Sequence, residues 1–580
     1  MMRRCLLPAL IAATLSVGAS AAAGQAALSG QVIPGPPRIP PRAPDAPGTG
    51  PIVGTGVLRG HVVTADTGAP VRRAQVIATA DARRRGHTTT DGEGRFEIRE
   101  LPAGTYHVQA MKAGFLSPGM EQAGRTGTGP RTRIELGEGS VVERIVIPMS
   151  RGGVISGHVT DEFGEPVAGA QLNVMRYGYR DGRRQLTAVR FPGLGDFTRT
   201  DDLGAFRIFG LPVGDYYVGA QPPREMSFGD AGPPEGLATT YFPGSPDVAQ
   251  ARPVRVRAAQ EAPNVNFALV RQRLARVRGM GLNARGEPFV GAMVMVSPAD
   301  SELEGFSSFG NPLRADGSFV VSGLAPGAYT LTLRSPMQGE NSELGTTRIV
   351  ADGSDIDGVV IAASVGGIVR GRVTLDDGSP LPAASVVIFP EPVDRTAPVM
   401  GFSEPRVKED GTFELKGLFG RRLFRVSFRG GSASGLGVKA VLANGEDVTD
   451  AGVDFPSGRV LEDVEVVLTR KLTHVTGAVT TQAGTPATSG AVIVFPADEA
   501  RWNGRSRFLR WIPLGPEGRF ETHGLPVHDD YRIVAVPPME DGQWTDPEFL
   551  RSLVDVATRL SLIEGETKVH DLRLRRLEAQ

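Results

Sequence analysis

The chain has 580 residues, with 63 Lys and Arg against 64 Asp and Glu; a formal net charge of −1 lacks the basic excess of a dedicated nucleic-acid binder. Its 75 Gly and 45 Pro make up about a fifth of all residues, against a usual ~12%, and aromatics are only 6%. That balance points to many turns and short strands, and a 40% hydrophobic content argues against wholesale disorder.

In chain order, Met1-Met2-Arg3-Arg4, an apolar run from Leu6 to Val17 and the small residues Gly18 to Gly24 read as a secretory signal peptide over residues 1–23. The apolar run is shorter than the ~20 residues that a membrane span needs. No transmembrane span is expected after cleavage. Cys5 is the one cysteine and precedes the apolar core, so the processed chain is expected to hold neither disulfide nor reactive thiol. Residues 24–55, with eight prolines between Pro34 and Pro51, read as an extended tether.

One pattern then recurs five times. Each copy opens on a glycine among apolar or β-branched residues: Gly60, Gly157, Gly279, Gly371 and Gly477. A Gly-x-Pro turn follows, from Gly68-Ala69-Pro70 to Gly484-Thr485-Pro486. Further on comes Gly-x-Phe, at Phe96, Phe206, Phe319, Phe413 and Phe520, with Leu101, Leu211, Leu324, Leu418 and Leu525 five residues later. Tyr106, Tyr216 and Tyr329 lie five beyond the leucine; Phe424 and Tyr531 lie six beyond it. Phe96-Glu97-Ile98 and its equivalents alternate with the period of a half-buried strand. Asp91, Asp201 or Asp202, Asp316 and Asp410 precede Gly-x-Phe, where an aspartate can cap its own turn. The opening glycines stand 92 to 122 residues apart, the size of an Ig-like sandwich of ~100 residues and not of a solenoid rung. The chain is therefore expected to be all-β, a tandem array of about five β-sandwich domains at 56–150, 151–271, 272–363, 364–470 and 471–580.

The pattern G-x-V … G-x-P-V-x-x-A-x-V … D-x-x-G-x-F-x-I-x-x-L-P-x-G-x-Y-x-V resembles the bacterial carboxypeptidase regulatory-like domain across residues 56 to 577, most closely in the first three copies. The resemblance implies a transthyretin-like, seven-stranded sandwich, also grouped with carbohydrate-binding-like folds, and no peptidase activity of its own. Near the end, Asp546-Pro547-Glu548 has the chemistry of a helix start, and Phe549, Leu550, Leu553, Val554, Ala557 and Leu560 recur every three to four residues. They predict a short amphipathic helix at about 547–562, packed on the last sandwich, with a closing strand from Val569 to Leu574.

No motif for zinc, serine or cysteine catalysis stands out: none of the eight histidines begins H-x-x-E or H-E-x-x-H, and there is no G-x-S-x-G elbow or phosphate-binding glycine loop. The chain is thus expected to be no enzyme and to need no cofactor. Asp352, Asp355 and Asp357 share one loop and form the one weak candidate for Ca²⁺, though without EF-hand spacing. The binding flavour lies in aromatics: Trp502 and Trp511 in the fifth copy, Tyr177 and Tyr179 in a long hairpin of the second. Flat rings suit sugar faces and partner surfaces. The function expected is an exported binding and spacer protein of the cell envelope, periplasmic, on the outer surface or extracellular, its ligand a polysaccharide. The alternative is a protein-interaction accessory subunit of an envelope peptidase or transporter.

Overall fold

The computed structural model describes residues 53–80, 84–117, 132–189, 198–223, 235–299, 311–335, 342–393, 407–428 and 435–575. The expected signal peptide, residues 1–23, and nearly all of the expected tether, residues 24–55, lie outside them. Within the described residues the chain is all-β apart from one α-helix and a few 3₁₀ turns. No helix there is long and apolar enough to cross a membrane.

Five hydrophobic cores follow one another along the chain, each drawn from one copy of the repeat: Leu58 to Met149, Ile155 to Leu269, Ala275 to Ala363, Val369 to Leu468 and Val475 to Leu572. The arrangement is that of tandem β-sandwiches. In the first, strands Arg95–Leu101, Gly56–Thr64, Val141–Arg151 and Phe115–Leu116 form one sheet in that order. Strands Arg85–Thr89, Gln75–Thr79, Gly104–Met111 and Thr132–Leu136 form the other. Alternation sends Phe96 and Ile98 into the space between the sheets while Arg95 stays exposed.

In every copy the opening strand is central, antiparallel to the Gly-x-Phe strand and parallel to the closing strand. The opening glycine lies where those strands crowd together. A Cβ on Gly60, Gly157, Gly279, Gly371 or Gly477 would lie 2.0–2.1 Å from the carbonyl oxygen of Ile145, Val265, Val359, Val464 or His570. In four copies the residue before that carbonyl adopts a left-handed conformation: Arg144, Asn264, Gly358 and Asp463, with φ of 56–75°. Register slips beside the opening glycine in three of these pairings, so the closing strand bulges onto the glycine.

A second device closes the turn after the repeat leucine. The hydroxyls of Tyr106, Tyr216, Tyr329 and Tyr531 donate to the carbonyls of Pro102, Pro212, Ala325 and Pro526, at 2.8–2.9 Å. In each case the acceptor is the residue after the leucine. The fourth copy has Phe424 instead, and there buried Arg422 donates Nε to Phe419 O (2.8 Å) and Nη1 to Pro390 O (3.3 Å). Burial lowers the Arg422 guanidinium to about 10.

The turn aspartates act as the sequence suggests. Asp91 Oδ1 accepts from the amides of Glu93 and Arg95, and Asp201 Oδ1 from those of Leu203 and Ala205.

The helix is shorter than the expected 547–562. It runs Pro547–Leu553, capped by Asp546 Oδ1 accepting from Glu548 N at 3.0 Å. Residues Thr558–Leu562 are instead a strand antiparallel to His528–Val536. Leu560 and Leu562 are two apart and both buried, so period two against a waiting sheet edge wins over the helical spacing of Leu560. The closing segment forms two short strands, Thr567–Val569 and Leu572–Arg573, both parallel to the opening strand.

The helix covers the outer face of a sheet. Strand Ala491–Pro496 is buried along its whole length. Val492 and Val494 face the main core, while Ile493 and Phe495 join Trp502, Leu509, Leu550 and Leu553 in a second core beneath the helix.

Two outcomes are expected. All three tryptophans lie in the fifth sandwich, so tryptophan fluorescence in a urea titration reports its stability. Gly477→Ala should cost about 3 kcal/mol or more, whereas Gly484→Ala, left-handed but with nothing within 4 Å, should cost only about 1 kcal/mol. Equal losses would contradict the close-approach argument. Separately, burial raises the Tyr216 phenol to about 12, above its ordinary value. The stabilisation by the neutral phenol is therefore complete below pH ~10 and lost as pH rises toward 12. In an alkaline titration followed by phenolate absorbance, Tyr216 should ionise late, with the other buried phenols Tyr241 and Tyr531, and Tyr216→Phe should take one tyrosine out of that late step. Ionisation of all eight tyrosines near pH ~10 in the folded chain would contradict it.

Candidate functional site

The second sandwich carries a hairpin, Gln171–Arg180 and Arg183–Ala188, whose tip is Asp181-Gly182. Both tip residues have positive φ, 49° and 77°, as a two-residue turn matched to strand twist requires. This tip reaches the fifth sandwich. Tyr179 N donates to Asp541 O at 2.6 Å, and the Arg184 guanidinium makes two bonds to the Glu540 carboxylate, at 2.8 and 3.0 Å. Arg176 lies 3.7 Å from Asp541, and Arg505 lies 3.6 Å from Asp181. The backbones are in close approach: a Cβ on Gly542 would fall 2.1 Å from Tyr179 O.

Between the hairpin and the start of the helix lies an open groove of about 530 Å³, lined by Tyr179, Gly182 and Arg184 on one side and Asp546, Pro547, Glu548 and Arg551 on the other. Its charges are fixed by neighbours. The Glu540 carboxylate raises the Arg184 guanidinium, and the Glu499 carboxylate, 2.7 Å from Arg551, raises that one. Desolvation raises the Tyr179 phenol, aided by Asp546 and Glu540, so it stays a neutral donor and acceptor. The groove thus offers one aromatic ring, two guanidinium groups and two carboxylates.

Of the four aromatic candidates, Tyr179 lines this groove. Tyr177, half-buried, packs edge-on to Tyr217 at 5.3 Å, with the Arg184 guanidinium 4.2 Å from its ring centre. Trp502 is only 4% exposed and its indole N–H donates to Pro496 O at 2.7 Å; its ring fills the core beneath the helix and is not offered to a ligand. Trp511 is half-buried against the same core.

The Asp352, Asp355 and Asp357 carboxylates do not converge on a cation site. Asp357 and Asp355 bind the Arg278 guanidinium, at 2.9 and 3.5 Å, while Asp352 caps its own turn through Ser354 N, which holds its carboxyl below the usual range. A resident arginine supplies the positive charge that Ca²⁺ would bring. Arg184, Glu548 and Arg551 were not legible as site residues. The Asp-Gly turn marks the hairpin tip, but nothing local in sequence signals that it meets a segment some 360 residues further on.

Residues 57–136, in the first sandwich, match the Carboxypeptidase regulatory-like domain. The other four copies repeat its strand order around the same glycine. No curated protein matches the chain. Among solved structures, the Bacillus anthracis TIE protein aligns at 14% identity and TM-score 0.15, over 53% of this chain and about half (51%) of that protein. The minor pilin GBS52 of Streptococcus agalactiae aligns at 15% identity and TM-score 0.19, over 37% of this chain and 95% of that one. A candidate carbohydrate-binding protein of Pseudomonas aeruginosa aligns at 17% identity and TM-score 0.13, over 18% and 98%.

Substituting Gly542 by Ala should lift the hairpin from the fifth sandwich while leaving both cores in place. Faster amide hydrogen exchange over residues 171–188, with unchanged protection of the buried strand Ala491–Pro496, is the expected result. Unchanged exchange in the hairpin would show that the contact is not held there.

Proposed function

We propose that this chain is an exported, non-catalytic envelope protein that binds a polysaccharide in the groove between the second-sandwich hairpin and the helix of the fifth. The observation that carries the reading is the lining of that groove. One face of an aromatic ring suits the C–H face of a sugar, and paired guanidinium and carboxylate groups suit its hydroxyls, since planar charged groups make strong hydrogen bonds to neutral partners. Tyr179, Arg184, Glu548 and Arg551 supply both kinds of contact. Export rests on the signal-peptide pattern of residues 1–23, and the non-catalytic reading on the absence of catalytic motifs in the sequence.

Titration of the chain with a panel of soluble polysaccharides tests this, followed by tryptophan fluorescence. Trp544 is immediately before Thr545 and Asp546 at the groove and reports on it. A saturable change is expected with at least one polysaccharide, weakened tenfold or more by Tyr179→Ala and by Glu548→Gln. A flat response across the panel, or full retention in Tyr179→Ala, would overturn the assignment and leave a protein partner as the occupant.

A further inference from the structure

A second constellation lies elsewhere on the fifth sandwich. His474 starts its opening strand, His474–Thr480, and His523 ends the Gly-x-Phe strand, Arg519–His523. Antiparallel register sets His474 directly opposite His523, and Thr476 opposite Glu521. Residues two apart on a strand share a face, so His474, His523 and Glu521 project from one side of the sheet. The two imidazoles are stacked, ring centres 4.1 Å apart and planes within 13°. The register beside them is held by Thr473 Oγ1 donating to Leu525 O at 2.7 Å and Gly524 N donating to Thr473 O at 2.9 Å.

Two observations point to a ligand. The donor atoms of His474, Glu521 and His523 all lie within 4.8 Å of one another, the one such group of His, Cys, Asp and Glu among the described residues. His474 Nε2 is closed off from solvent and has no hydrogen-bond partner. Glu521 Oε2, its nearest opposite charge, is 4.0 Å away, beyond hydrogen-bond reach. A shielded ring nitrogen facing a carboxylate and a second imidazole is a half-built coordination sphere.

We propose that His474, Glu521 and His523 bind a divalent transition-metal ion of the zinc class, through two imidazole nitrogens and one carboxylate oxygen, with a fourth position left open. The donor set selects the metal: imidazole with carboxylate suits Zn²⁺, Ni²⁺ or Cu²⁺, whereas Ca²⁺ and Mg²⁺ require mostly oxygen. Bonds of ~2.0–2.1 Å place tetrahedral donors roughly 3.3 Å apart, so the ligands must close inward. Glu521 and His523 are exposed and can rotate, while half-buried His474 provides the fixed anchor. The ion would clip the central opening strand to the Gly-x-Phe strand, which is the edge of that sheet. The open position would take water or a donor from a second molecule.

The test uses the untagged chain, stripped of metal by chelator and titrated calorimetrically with Zn²⁺. One ion per chain is expected, with affinity at least tenfold weaker in His523→Gln and in Glu521→Gln. Thermal melting followed by tryptophan fluorescence, which reads the fifth sandwich, should rise with Zn²⁺ in the parent chain and not in the double variant H474Q/H523Q. The affinity measured in Glu521→Gln, whose side chain is exposed, keeps the test valid if the histidine variants misfold. Absence of Zn²⁺ binding, unchanged stoichiometry and affinity in His523→Gln, or preference for Ca²⁺ over Zn²⁺ would each overturn the site. Tyr179→Ala should leave Zn²⁺ binding untouched, which separates this site from the polysaccharide groove.

Discussion

Each sandwich is organised around one crowded point, where the closing strand presses a backbone carbonyl against the glycine of the opening strand. The opening strand has neighbours on both sides: the Gly-x-Phe strand antiparallel on one and the closing strand parallel on the other. A side chain at the glycine would need the space that the carbonyl occupies. To deliver that carbonyl the closing strand bulges, and it accepts strain to do so. Arg144, Asn264 and Asp463 adopt left-handed backbone conformations that non-glycine residues seldom take, and Gly358 fills the same role without the steric cost. The fifth copy reaches the same approach without a left-handed residue before the carbonyl; as in the second copy its closing strand is broken in two, here Thr567–Val569 and Leu572–Arg573 around His570. Strand order, core and register all depend on this contact being made.

The turn after the repeat leucine shows how a buried polar group constrains its neighbours. A carbonyl there needs a donor. Four copies supply it from a tyrosine hydroxyl, whose ring also fills the core. The fourth copy, where phenylalanine replaces tyrosine, supplies it from Arg422, whose Nε reaches the carbonyl of Phe419 and whose Nη1 reaches that of Pro390. A fully buried guanidinium is an unusual donor, and burial lowers its proton affinity. The core tolerates it because these carbonyls would otherwise go unpaired.

In the fifth sandwich both faces of one sheet are covered. Strand Ala491–Pro496 is apolar throughout, which suits burial on two sides. The short helix and the Trp502 ring close the outer face, and the second-sandwich hairpin reaches the rim of that added layer through Arg184 and Glu540. The polar groove exists because the sequence places a helix on one sandwich and a long hairpin on another. Neither element would form it alone.

The repeat, the all-β class and the turns are legible in the sequence, because glycines in a tight turn, capping aspartates and period-two alternation act over a few residues. The sequence also marked the helix start at Asp546. It misjudged the helix end, because Leu560 satisfies both helical and strand spacing and only the edge of strand His528–Val536 chooses between them. Tertiary structure decided the rest. It buried Trp502 in a core whose other members, Ile493 and Leu550, read as ordinary apolar residues in sequence. It aimed Asp355 and Asp357 at Arg278, and it set His474 beside His523 across 49 positions of chain. Those outcomes depend on pairing between distant strands, which local propensity does not encode.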